Sequence, residues 1–470
     1  MCTCTIIGRD ATEDGSVLLG ANNDWDRTPG RLRYVPRMEH GRDESFRTVR
    51  GFEIPQAEIT FAYHYTCCVY PIGHRSDAWA EGMNEYQVAV AQTGVHAFQP
   101  IDASGAALEA DDIPWIILER AASARQAIEL VGELVAQYGF NTSSWEGAEG
   151  VAVFAVADPK EGWWLELAPG HHWVAQRVPD DMASVRVNCL GIHDADLNDR
   201  ENVLCSRGLA EYAAARGWGG EPAHFDFSGL YGRDKSINEW GPELDKLNMY
   251  RRWRAMSLYA RRDLPENELI YQVRPAKKLN VDDVKAVLRD VYAGTCHDLT
   301  AVPEAGPFGD PFHDGPCCYS LAQVGTVASM VAHLRSWLPD AFGGIMWVAL
   351  SNPHTSFYFP IPAGAGRLPA RFSQTKTMKG EDKSAWWIFK DVGLLTSRRY
   401  RPNMTLLSQM QQTFETDAAQ RMSTMEDALS ALWPVDQTAA NALLDLFSVE
   451  TASRALAAAE DAFAALELQY

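Results

Sequence analysis

Basic charge is the scarcest commodity in this chain. Its 42 lysines and arginines face 62 aspartates and glutamates, a formal net charge of −20 over 470 residues. Such a chain repels phosphate backbones and anionic lipid, which excludes nucleic acid and membrane as expected partners. No apolar run reaches transmembrane length. The start, MCTCTIIGRD, lacks the basic region and apolar core of a signal peptide, so a cytoplasmic location is expected. Cysteine is sparse and odd in number, at nine, and forms no CxxC…CxxC arrangement. A disulfide framework and a structural zinc site are therefore not expected. The adjacent pairs Cys67–Cys68 and Cys317–Cys318 would point to opposite faces of a strand. Buried, reduced thiols are the expectation, with no metal and no cofactor. Internal repeats, low-complexity linkers and composition breaks are also missing, which argues against independent units.

What is present suits a large soluble core: hydrophobic residues make up 46% and charged residues 22%. Residues 3–8 and VLLGANN read as two strands joined through an Asp14-Gly15 turn, a hairpin. QVAVAQT (87–93) reads as a strand. A helical region follows, with Ser123 and Gln126 in capping-box spacing, apolar residues from Ile128 to Tyr138 at helical period, and Gly139 at the stop. GVAVFAVADPKEGWWLELA predicts a hairpin turning at Asp158–Gly162, extended by HHWVAQRV. Residues 195–300 read as helices and long loops. LAQVGTVASMVAHLRSWL predicts an apolar helix, followed by strands in GGIMWVAL and SFYFPI. From Met404 onward the alanine- and leucine-rich chain reads as helix, interrupted at Pro434. The sum is an α+β domain over residues 2–400 with a helical extension, 401–470, packed on it.

The candidate chemistry begins at Cys2. Removal of Met1 would leave a residue with a thiol and a free α-amine on one carbon. A thiol needs a base to become a thiolate nucleophile. An α-amine, with an ordinary pKa of roughly 7.7–8.0, can take that proton and return it to a departing amine near neutral pH. Cys4 would need a three-residue cleavage to serve and reads as a core thiol on the same side of the strand. His171 and His172, adjacent on a strand, face opposite ways and read as packing or hydrogen-bonding residues. Trp163, Trp164 and Trp173 read as core.

CTCTIIGRDATEDGSVLLGANNDWD resembles the N-terminal segment of the dipeptidase A family of cysteine N-terminal nucleophile (Ntn) peptidases, relatives of the secernins and choloylglycine hydrolases. EGMNEYQVAVAQT, WWLELAPGHHWVAQRVPDD, YAGTCHD and LPDAFGGIMWVAL resemble that family's landmarks in the same order. The resemblance implies a four-layer αββα sandwich. It implies Cys2 as nucleophile and base, Asp24 as the acidic residue holding the amine, and Asn188 as an oxyanion donor. It further implies a second oxyanion contact from Gln92 or Thr93, Arg254 as the arginine near the nucleophile (Arg251 and Arg252 being close by), and His297 and Asp298 as substrate-binding elements. One departure stands out: Ala21 occupies the position where relatives commonly carry an arginine on the second strand, for which Arg27 or Arg254 would have to substitute.

The expected activity is hydrolysis of dipeptides, with a small peptide or amide as partner; the sequence leaves a homo-oligomer open. Two alternatives are an amidase acting on N-acyl amino acids or conjugated amides, which NNDWD favours, and a non-catalytic secernin-like protein, to which Ala21 gives weight.

Overall fold

A computed structural model describes residues 2–25, 28–95, 101–142, 151–232, 241–313, 319–376 and 383–469. The N-terminal hairpin is β1 (Thr3–Ile7) and β2 (Val17–Asp24). After β3 (Gly30–Val35) come two small ribbons, β4 (Met38–Glu39) with β7 (Ile59–Thr60) and β5 (Ser45–Arg47) with β6 (Glu53–Pro55). Strands β8 (Tyr63–Cys68), β9 (Ala78–Asn84) and β10 (Ala89–Val95) lead into helices α1 (Asp112–Arg120) and α2 (Ala124–Tyr138). The chain continues through β11 (Val151–Ala157), β12 (Gly162–Ala168), β13 (His172–Arg177), β14 (Ala183–Arg186) and β15 (Val203–Cys205). Next are α3 (Leu209–Ala215), α4 (Phe227–Tyr231), α5 (Gly241–Ala260), β16 (Gln272–Val273) and α6 (Val281–Leu288). Then come β17 (Thr326–Leu334), α7 (Asp340–Gly343), β18 (Ile345–Leu350) and β19 (Phe359–Pro362). Helices α8 (Ala385–Arg398), α9 (Tyr400–Leu432) and α10 (Gln437–Glu467) end the fold.

Two antiparallel sheets result. The first runs β16-β14-β1-β2-β17-β18-β19 and the second β15-β13-β12-β11-β10-β9-β8-β3. Alternation decides what each face meets. Ile6 of β1 points at the second sheet so closely that a Cβ on Gly162 would lie 2.4 Å from its Cγ2. On the opposite face, a Cβ on Gly20 would lie 2.5 Å from Val284 Cγ1 of α6. Helices α1 and α2 pack on the outer face of the second sheet, where Val90, Phe154, Val156 and Trp163 join Ile113, Ile116, Ile128 and Val131 in one apolar cluster. Helices α5, α6, α8, α9 and α10 pack on the first sheet. The layer order is αββα, as expected.

The hairpin at 3–24, the hairpin at 151–168 and α2 form where the sequence places them. The Ser123 side chain accepts from Gln126 N–H, and Gly139, with φ 68°, ends the helix. The Gln126 side chain accepts from Ala122 rather than Ser123, so half of the predicted box is shifted by one residue. The predicted helix over 321–338 is corrected: Thr326–Leu334 is strand β17, inside the first sheet between β2 and β18. Both faces of a central strand are covered, so its apolar run loses the alternation that distinguishes strand from buried helix.

Candidate active site

Cys2 lies one residue before β1. Thr3 pairs with Asn22 across the hairpin, which carries Cys2 to the level of the end of β2. Its side chain is buried, and burial pushes the thiol up to about 11, with the carboxyls of Asp24 and Glu81 adding to the rise. The Asp24 main-chain N–H donates to the sulfur and opposes it. A thiol so placed does not ionise unaided at neutral pH. Cys4 is fully buried on the inter-sheet side with Ile6, and burial drives its thiol well above the usual range too.

Asp24 is the last residue of β2, and its carboxylate is held from β17. Oδ1 accepts from Thr326 Oγ1 at 2.6 Å and Oδ2 from Gln323 Nε2 at 3.1 Å. Burial raises this carboxyl to about 7, against the Thr326 bond and the nearby Arg251 charge.

Asn188 follows β14 in a left-handed conformation, φ 52°, which Asn tolerates better than most residues. Its N–H donates to Thr93 Oγ1 at 3.0 Å, and its Nδ2 donates to the Gly94 carbonyl at 2.8 Å. Arg251 of α5 completes the group. Nη1 donates to the Cys2 carbonyl at 3.0 Å, and Nη2 donates to Asn188 Oδ1 at 2.9 Å and to Asn248 Oδ1 at 2.6 Å. Arg251 is fully buried. Cys2, Asp24, Asn188, Thr93 and Arg251 thus converge.

The other expected residues bond to different partners. Arg254, three residues on along α5, makes a bidentate pair with Asp290 at 2.9 and 2.7 Å; the arginine beside Cys2 is Arg251. The arrangement separates Gln92 from Thr93. Thr93 lies on the inter-sheet face with Ala91 and Val95, whereas Gln92 pairs with Phe154 and turns toward α1 and α2 with Val90. His297 Nε2 lies 3.1 Å from Glu266 Oε2, under the ring of Tyr250 at 4.1 Å. Asp298 accepts from Gly294 N–H and Thr300 within its own turn. His171 bonds the Val135 carbonyl, and His172 lies against the Tyr212 ring. Ala21 is fully buried between Cys4 and Met330. Arg27, Cys317 and Cys318 lie outside the described residues.

Two features have no counterpart in the sequence reading. Glu81, on β9, is fully buried near Cys2; burial, then the Asp24 charge, holds its carboxyl well above the usual range. Its signal was an acidic residue inside the strand AWAEGMN, every residue of which is buried. Glu166 of β12 accepts from Arg186 Nε at 3.3 Å and from the N–H groups of Gly191 and Ile192, at 2.7 and 3.1 Å. Arg186 is itself sandwiched by Trp164 and Tyr271. This buried pair clamps both ends of the segment 187–190, which carries Asn188.

Comparison with known proteins bears on this geometry. The model of the family described as Peptidase family C69 matches residues 1–413. A probable dipeptidase of Latilactobacillus sakei is 28% identical over 421 residues, covering 85% of this chain and 81% of its own. Probable dipeptidase A of Streptococcus pyogenes serotype M3 (strain SSI-1) is 26% identical over 428 residues, covering 86% and 84%. Among solved structures, penicillin V acylase from Agrobacterium tumefaciens is 15% identical, with 77% of this chain and 86% of that one covered and a TM-score of 0.36. No helix among the described residues is long and apolar enough to cross a membrane.

Proposed function

The chain belongs to peptidase family C69, and from that premise we propose that it is a cysteine Ntn dipeptidase whose nucleophile is Cys2, exposed by removal of Met1. The observation that carries this reading is the shared grip of Arg251 on the Cys2 carbonyl and on Asn188 Oδ1, which joins the expected nucleophile to the expected oxyanion donor.

In the proposed mechanism the neutral α-amine of Cys2 takes the thiol proton, and the sulfur attacks the scissile carbonyl carbon. The electron pair moves onto the carbonyl oxygen, which Asn188 Nδ2 stabilises with a donor from the segment around Thr93. The ammonium returns the proton to the departing amine as the C–N bond breaks, leaving a thioester. Water, deprotonated by the same amine, attacks the thioester; the acid leaves and the thiol is restored. A thiol with its pKa pushed up by burial makes the neighbouring amine necessary as base. Asp24 holds that amine in its carboxylate form, and the positive charge that relatives place on β2 comes here from Arg251. The free thiols of all seven described cysteines fit a reducing, cytoplasmic setting.

The test is hydrolysis of an Ala-Ala dipeptide beside its N-acetylated form, with intact mass of the native N-terminus. A protein lacking Met1 that cleaves the free dipeptide, and loses the activity on Cys2→Ala, is the expected result. Preference for the N-acetylated form supports the amidase instead. Retained Met1 with no turnover supports the non-catalytic protein.

A further inference from the structure

Beside α5, three side chains of different metal-ligating types converge. Cys296 Sγ donates to Glu266 Oε1 at 3.4 Å, and Glu266 Oε2 lies 3.1 Å from His297 Nε2. One ligand atom from each of the three lies within 4.8 Å of the others, a grouping unique among the described residues. A tetrahedral zinc-class ion, with bonds of about 2.3 Å to sulfur and about 2.0–2.2 Å to nitrogen and oxygen, places its ligand atoms roughly 3.3–3.7 Å apart. The Cys296–Glu266 and Glu266–His297 separations, 3.4 and 3.1 Å, are within a few tenths of an ångström of such edges, and the sulfur and an imidazole nitrogen lie within 4.8 Å of one another.

Both segments are held in place by bonds of their own. Trp253 Nε1 donates to the Leu264 carbonyl at 2.7 Å, and Leu264 N–H donates to Ser257 Oγ at 3.1 Å, which ties the Glu266 loop to α5. On the other segment, Thr295 Oγ1 donates to the Tyr292 carbonyl and accepts from His297 N–H, while the Tyr250 and Trp253 rings wall the imidazole. Cys296 is exposed, which leaves one side of the cluster open to water. The Glu266 bond raises the Cys296 thiol's pKa, and the Asp263 charge adds to the negative field there.

We propose that Glu266, Cys296 and His297 form a site for one zinc-class divalent cation, with a fourth position open to solvent. Thiolate and imidazole select such an ion over magnesium or calcium. On binding, the Cys296 thiol releases its proton to solvent and the sulfur's electron pair goes to the metal. The neutral imidazole carries its proton on Nδ1, and Nε2 ligates. Thiolate and carboxylate together neutralise the ion's two charges. The site joins the 263–266 loop to the 295–297 turn beside α5, whose Tyr250 and Trp253 rings pack on His297.

Titration of the metal-free full-length protein with cobalt(II) tests this. One equivalent is expected to give a saturable thiolate-to-cobalt charge-transfer band, displaced by zinc(II), kept in Cys2→Ala and absent in Cys296→Ser. Glu266→Gln should weaken cobalt(II) by at least the roughly tenfold that loss of an outer-sphere partner brings. No saturable band, a band that zinc(II) does not displace, one that survives Cys296→Ser, or one lost in Cys2→Ala because the ion sits on that thiol, overturns the proposal.

Discussion

Arg251 fixes which way Asn188 faces. Because Nη2 of the arginine donates to Oδ1 of the amide at 2.9 Å, the Nδ2 end must turn away, where it meets the Gly94 carbonyl with one hydrogen and has a second to offer. An amide can help an oxyanion only with its nitrogen end. Asn188→Ala should therefore lower kcat by about 10²–10³ with KM little changed, as loss of one oxyanion donor does. Steady-state kinetics on a dipeptide measures it; a fall in KM affinity alone would place Asn188 in ground-state binding.

The two arginines of α5 should separate cleanly. Arg251→Met leaves three buried acceptors (the Cys2 carbonyl and the two asparagine Oδ1 atoms) without their donor, each worth about 1–3 kcal/mol of lost stability. Activity should collapse along with thermal stability. Arg254→Met removes the pair with Asp290 and a bond to the Ala293 carbonyl but none to Cys2 or Asn188, so kcat/KM should hold while the melting temperature falls modestly. Equal loss of kcat/KM in both variants would contradict the placement.

Asp24 should make both activity and stability pH-dependent near neutrality. Its carboxyl, raised by burial to about 7, is ionised only above that pH, so kcat/KM should climb through pH 7. The stability effect has the opposite sense. Between the unfolded value of about 4 and the folded value, the native state binds more protons than the unfolded one, and stability falls as pH rises. The full effect is about 4 kcal/mol at most. Asp24→Asn should flatten the melting temperature across pH 4–8, and an unchanged slope would show that Asp24 titrates normally.

Glu81 should behave as a neutral side chain. With burial and Asp24 both opposing its ionisation, Glu81→Gln replaces a protonated acid by an uncharged isostere and should preserve folding and turnover. Glu81→Ala should destabilise by about 3 kcal/mol through the cavity it leaves. Denaturant titration of the two variants tests the contrast; severe damage from Gln would mean that the carboxylate is charged.

Local signals were the legible ones. An Asp-Gly turn between apolar runs, and a Ser123 start with a Gly139 stop, are chemistry within a few residues, and the N-terminal hairpin and α2 follow them. Strand β17 was not legible because a strand covered on both faces has no polar side to betray its period. Arg251 and Arg254 could not be told apart because MYRRWRAM puts three arginines within one helical turn, and only docking on β14 decides which faces Cys2. Gln92 and Thr93 posed the same problem on a strand. Neighbours there face opposite layers, and the choice belongs to the sheet rather than to the dipeptide.

The bonds that define the site also set when it can exist. Asp24 is held by a hydroxyl 302 residues further along the chain, and the Cys2 carbonyl by a guanidinium 249 residues away. In the proposed mechanism Cys2 depends on partners far along the chain: Arg251 lies just past its midpoint, and Thr326, which holds Asp24, about two-thirds of the way along. On that mechanism, a chain without β17 has the nucleophile but not its positioned acid. By the same proposed mechanism, the separation in sequence delays peptide cleavage until the sheet that organises it has closed around β17.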